Sequence, residues 1–248
     1  MLYVSYSRLS CFDQCPRKYE FQYIRQIPAM ISPVLFLGQV VHLTLHRYFT
    51  GGVEFRDAQG LHDLFRQTWK EERAKYRAQN LYQLDRETER VHGIKGLEML
   101  SQFFHSSHNT PPHESEKLVR FKIGEDILFT GKVDRLERIS EGFRIVDYKT
   151  GKYTARFLDT LQLHTYAWLM VRSGYLIHSS AFLYLEEGNF VEEKVTDQII
   201  EQTEQALREK IHALVTILES GSFPPKPSKL CGWCDYQDLC EEGEKYGG

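Results

Sequence analysis

At "NTPPHES", residues 109 to 115, the hydrophobic period of the chain changes, and with it the kind of element the chain can form. Upstream, the first 110 residues read mostly as helix. "SYSRLSCFDQCPRKYEFQYI" opens on a serine suited to capping, and "LGQVVHLTLHRYF" spaces its apolar residues for one helical face. "LHDLFRQTWKEERAKYRAQ" and "ETERVHGIKGLEMLSQFF" are charged and amphipathic. Downstream, "EKLVRFKI", "ILFTGKVDRLERI" and "FRIVDY" are strand-like runs separated by short turns, which predicts a three-stranded meander. A helix at "TLQLHTYAWLMVR", a hairpin at "SAFLYLEEGNFVEEKV" and a long helix from about Thr196 to Leu218 complete the pattern.

This order predicts an α/β fold, a mixed sheet flanked by helices, in a single domain over 1–248. Residues 1–110 form its helical part, 115–220 its core and 221–248 a cysteine-bearing tail, with the two ends brought together. No apolar run approaches the roughly 20 residues that a membrane span needs. "MLYVSYSRLSCFDQCPRK" lacks the features of a signal peptide, so a cytoplasmic location is expected. A formal net charge of −3 argues against a general polycation and leaves a local basic groove open. "GKYTAR" lacks the glycine spacing and Ser/Thr of a phosphate-binding loop, so ATP-driven activity is not supported.

"RIVDYKTGK" places Asp147 and Lys149 two residues apart where a strand ends, hence on one face. Thirteen residues earlier, "GKVDRLER" sets Asp134 between Val133 and Leu136 in the preceding strand. Buried carboxylates are costly unless paired or bound to a metal. One reading pairs Asp134 with Lys132 or Arg135, and Asp147 with Lys149 or Lys152. The other brings both acids to one sheet end as oxygen ligands for a hard cation such as Mg²⁺ or Mn²⁺, with Lys149 beside the attacked phosphate. His46, four residues after His42, forms an H-x-x-x-H pair, but Leu43 stands where a zinc protease carries glutamate.

"GKVDRLER" followed by "IVDYKTGK" resembles the core of the PD-(D/E)xK nuclease superfamily, in its RecB-like branch, with Val133 at the proline position. "GQVVH" resembles that branch's Gly-x-x-x-His helix and "LQLHTYAWL" its Gln-x-x-x-Tyr helix. The resemblance implies a restriction-endonuclease-like core. It implies metal ligation by His42, Asp134, Asp147 and the backbone carbonyl of Tyr148, catalysis by Lys149, and positioning by Gln162 and Tyr166. It further implies a Mg²⁺- or Mn²⁺-dependent nuclease acting on DNA, preferably single-stranded, as an exonuclease in repair, recombination or CRISPR adaptation. A helicase or a CRISPR adaptation protein is the expected partner. The rival is a non-catalytic DNA-binding scaffold. Single-strand preference draws on the aromatic and basic interleaving of "RKYEFQYIR".

The five cysteines, Cys11, Cys15, Cys231, Cys234 and Cys240, sit only at the chain's ends. An odd number in a reducing compartment argues for metal ligation over disulfides. "CGWCDYQDLC" supplies three soft ligands that suit zinc or an iron–sulfur cluster equally. Cys11 and Cys15, one turn apart on the expected helix, are both candidates for the fourth, with Cys11 also readable as a small buried apolar residue. RecB-like nucleases with an iron–sulfur staple carry a "CP" in the first helix and this triple at the end. That resemblance implies Cys15, Cys231, Cys234 and Cys240 around a 4Fe-4S cluster.

Overall fold

The computed structural model of the chain describes residues 1–51, 57–243 and 245. The chain opens on a short strand, β1 (Leu2–Val4), followed by α1 (Tyr6–Gln14), whose N-cap Ser5 accepts a hydrogen bond from Arg8 N–H at 3.3 Å. The expected single N-terminal helix is broken at Cys15, which is extended at φ −164° and ψ 117°. Pro16 causes the break: its ring excludes the helical conformation from the residue before it, while its own fixed φ starts the next turn, α2 (Pro16–Tyr19). Cys11 and Cys15 therefore do not share a helical face.

A helical layer follows, made of α3 (Pro33–Thr50), α4 (Ala58–Ala78) and α5 (Arg86–Phe104). Ser32, Asp57 and Asp85 cap their N-termini, each side chain taking a backbone N–H of the first turn. The meander is present as β2 (Glu114–Ile123), β3 (Ile127–Ile139) and β4 (Gly142–Lys149), antiparallel in sequence order. The helix α6 (Thr160–Arg172) carries the chain to β5 (Ile177–Tyr184), which lies parallel to β4. The hairpin strand β6 (Asn189–Lys194) and the long helix α7 (Asp197–Ser220) follow.

The sheet is six-stranded and mixed, as expected, with β2 at one edge and β6 at the other. It is split along β3. Pairing of β3 with β4 stops at Arg135↔Val146, and parallel β1 takes β3 again at 127–129. Between these stretches the two strands part, leaving an opening beside Asp134.

Side chains of β4 alternate between the two layers. Ile145 packs with Phe129, Trp168, Leu207 and Ile211 on the α6–α7 side, while Val146 and Tyr148 pack with Phe36, Val41 and Phe103 on the α3–α5 side. A fully buried side chain of this size contributes about 1.5–3 kcal/mol, so the two faces of the sheet hold the scaffold rigidly around the split. The same alternation sets Asp147 and Lys149 on Ile145's face, under α6. Among the described residues, no helix is long and apolar enough to cross a membrane.

Two of the three rings of the "RKYEFQYIR" segment are closed to stacking, and the third, Tyr23, is half-buried beside Tyr19 with Arg8 over its ring. Tyr19 and Phe21 are buried, and Arg17 and Arg25 lie over the Phe21 ring. Its period satisfies core packing, and stacking of bases on these two rings is ruled out.

Candidate active site

The split in the sheet opens into a pocket of about 540 Å³ lined by His42, Asp134, Asp147, Tyr148, Lys149, Gln162 and Tyr166 among others. All seven residues singled out around the acidic pair in the sequence thus meet in one place. Asp134 pairs with neither Lys132 nor Arg135: Lys132 turns to Glu116 and Arg135 to Glu137, at 2.8 and 2.5 Å. Asp134 Oδ2 instead accepts the Tyr148 backbone N–H at 3.0 Å, and its Oδ1 faces His42 Nδ1 at 3.2 Å.

Asp147 pairs with Lys149 at 2.7 Å, yet its buried Oδ2 accepts no well-directed hydrogen bond. Lys149 Nζ also donates to Gln162 Oε1 at 2.6 Å and stands 4.7 Å over the Phe182 ring. The Gln162 amide donates onward to Asp147 Oδ1 at 3.4 Å and to the Tyr166 hydroxyl at 3.2 Å. Gln162 and Tyr166 reach the acids together because they are one turn apart on α6. Gly131 lets α6 lie that close: a Cβ there would stand 2.7 Å from Leu169 Cδ2.

The two carboxylates are driven apart in acidity. Burial pushes Asp147 up, and the negative charge of Asp134 adds to it against the pull of Lys149. Burial also raises Asp134, but His42 and the Tyr148 N–H outweigh it and hold that group below the usual carboxylate range. Burial resists a charge on His42, and the Asp134 carboxylate overcomes it, so His42 is shifted up. Two like charges at one buried spot are stabilised by a shared cation. The buried Asp147 Oδ2, held only by its ion pair with Lys149, and the oxygen-and-imidazole donor set fit a hard divalent metal. As they stand, no three His, Cys, Asp or Glu side chains among the described residues are already closed into a metal-holding group.

His46 takes no part in the pocket; its Nδ1 meets Ser115 Oγ at 3.1 Å. The pocket also includes residues that sequence reasoning passed over: Ser5, Tyr6 and Ser7 at the start of α1, Leu118 on the edge strand, and Lys132. The Tyr6 hydroxyl hydrogen-bonds Asp159, the residue capping α6, so the N-terminus closes one wall. Burial and then Asp159 shift that hydroxyl upward in pKa. Its partner lies 153 positions away, and no local signal in "SYS" announces the contact.

At the far end of α1, Cys15, Cys231, Cys234 and Cys240 line one small, mostly apolar cavity with Arg17 and Lys18. Cys15 Sγ accepts the Lys226 N–H and Cys231 Sγ the Ser228 N–H, both at 3.4 Å. Cys11 is outside this cavity, buried, with its thiol donating to Gln22 Oε1 at 3.5 Å and its pKa pushed up to about 11 by burial.

A split mixed sheet that brings two buried acids, a lysine and a glutamine to one opening defines a hydrolytic nuclease core. The model of the PD-(D/E)XK nuclease superfamily matches residues 3–241, and the chain belongs to that superfamily. The fold is similar to a solved structure from Eubacterium rectale that carries a provisional exonuclease name. The TM-score is 0.60 at 14% identity, covering 94% of this chain and 87% of that one. A further solved structure, of SSO0001, aligns over 98% of this chain and 88% of its own at 12% identity and a TM-score of 0.43. None of the curated proteins matches the sequence.

Proposed function

We propose that the chain is one RecB-like nuclease domain over 1–248, a Mg²⁺- or Mn²⁺-dependent DNase that shortens single-stranded DNA from an end. The observation that carries this reading is the convergence of Asp134, Asp147, Lys149 and Gln162 on the split in the sheet. His42, Asp134, Asp147 and the Tyr148 carbonyl would hold the metal. When bound, the cation supplies easier deprotonation of water and neutralises charge on the phosphate. Lys149 stabilises the negative charge that grows on the phosphorus oxygens. Gln162 fixes the Lys149 ammonium in place, and the Tyr166 hydroxyl fixes the orientation of the Gln162 amide. The Phe182 ring beneath Lys149 keeps water from one side of the ammonium.

Cys15, Cys231, Cys234 and Cys240 would hold a 4Fe-4S cluster, with zinc as the alternative. Four thiols around one cavity and two N–H···S bonds support the assignment. Such a staple closes a loop of roughly 215 residues, a constraint on the order of several kcal/mol by chain entropy. DNA repair, recombination and CRISPR adaptation, with a helicase or adaptation protein as partner, are the processes this activity suits.

The test incubates anaerobically purified protein with end-labelled single- and double-stranded DNA in Mg²⁺, Mn²⁺ or a chelator. Shortening of the single strand with either metal, abolished by the chelator, is expected. Absence of cleavage of both substrates in both metals overturns the reading.

A further inference from the structure

The helices α4 and α5 enclose a cleft of about 380 Å³ that shares no lining residue with the catalytic pocket. Helix α3 lies between them: Phe36 packs edge-on against Trp69 at 4.8 Å, and His42 lies further along the same helix. Arg66, Lys70, Arg73, Arg86 and Arg90 line the cleft against a single acid, Glu89, in a chain whose net charge is −3. Three of these cations are engaged: Arg66 with Asp63, Arg73 with Glu89 and Arg90 with Glu87. Lys70 and Arg86 are exposed and have no anionic partner among the described residues. The cleft's apolar lining comes from Phe65, Trp69 and Leu97.

Gly93 supplies an independent observation. It sits in the middle of α5, where glycine is the poorest residue after proline, and a Cβ built on it would meet nothing within 4 Å. Gly96, three residues on, has a packing reason, since its Cβ would stand 2.4 Å from Phe65 Cζ. Gly93 has none except that it lines the cleft, and any side chain there would enter the space between the cations.

We propose that this cleft is a second nucleic-acid contact, holding the phosphate backbone of a strand segment that lies outside the catalytic pocket. Two exposed cations without an anionic partner, flanking the open space over Gly93, suit the phosphates of a polyanion. The proposal rests on the nuclease reading and concerns how far along the strand the protein grips.

The experiment compares the parent with Lys70→Ala/Arg86→Ala and with Gly93→Leu on single strands of about 6 and about 30 nucleotides, lengths near the lower end of and well above the usual footprint of a single-strand groove. For the longer strand, KM is expected to rise about tenfold at unchanged kcat, and the salt dependence of binding to shallow by about two phosphate contacts in the double variant. KM for the shorter strand should match the parent. Anisotropy of the labelled longer strand in chelator reads the same loss without turnover, so it holds even for a parent that fails to cleave. Gly93→Leu should keep the parent's melting temperature, which separates blockage from unfolding. Long-strand affinity within twofold of the parent in both variants overturns the proposal.

Discussion

The backbone N–H of Tyr148 donates to the Asp134 carboxylate at 3.0 Å, across the point where β3 and β4 part. The carboxylate takes over a donor that the sheet ladder no longer satisfies, so one acid both closes the split and faces the pocket. Its buried position is thereby compensated before any ligand arrives.

Asp134→Ala is therefore expected to remove cleavage and to lower stability by about 1–3 kcal/mol, because the buried Tyr148 N–H loses its acceptor. Asp147→Ala should remove cleavage with the fold at least as stable, since it relieves like-charge repulsion. Endpoint digestion with urea melts checks the pair, and near-parent cleavage by either variant counts against the site.

Gln162→Ala should lower kcat by about tenfold to a hundredfold with little change in KM, because Lys149 keeps Asp147 but loses the group that aims it. Tyr166→Phe should fall in the same direction by less. Single-turnover rates at saturating DNA measure both.

Gly131→Val pushes a side chain into Leu169 and displaces α6 from β3. Overpacking of this kind costs about 1–3 kcal/mol, and activity should drop with it, since α6 carries Gln162 and Tyr166. A variant with parent stability and rate would show that α6 need not lie so close.

Cys15→Ser should yield protein with little bound iron, a lower melting temperature and easier proteolysis at both ends. Cys11→Ser should keep iron and colour, because Cys11 lies outside the cavity that the other four line. Iron analysis and visible absorbance decide it; about one zinc per colourless parent chain would replace the cluster with a zinc site.

Glu204 ties α7 to α6 by accepting the Trp168 indole N–H at 3.0 Å and the guanidinium groups of Arg172 and Arg208. The Trp168 bond first, and the two arginines with it, push its carboxyl down to about 2. A group depressed on folding stabilises above its unfolded value and loses that contribution as pH falls through the folded one. Glu204→Gln should therefore cost about 1–2 kcal/mol at pH 7, and the gap to the parent should narrow from about pH 4.5 down to 2. Urea midpoints across that range test the sign; a gap that widens in acid contradicts it.

Periodicity and turn residues alone made β2, β3, β4, the β5–β6 hairpin and α7 legible, because alternation and helical spacing are local properties of the chain. The spacings Asp-x-Lys and Gln-x-x-x-Tyr likewise put each pair on one face of its own element. The break at Cys15 is encoded in Pro16, and that break, rather than helical spacing, sets Cys15 and not Cys11 in the cavity with the C-terminal cysteines. Tertiary structure alone decided that Tyr6 meets Asp159, that Lys132 turns to Glu116, and that Asp134 binds the Tyr148 backbone. It also set Gly93 over an open cleft, with Lys70 and Arg86 on neighbouring helices. Those partners belong to different elements, brought together by strand register and the crossing of packed layers, and a sequence pattern reports which face a residue takes but not what the fold places opposite it.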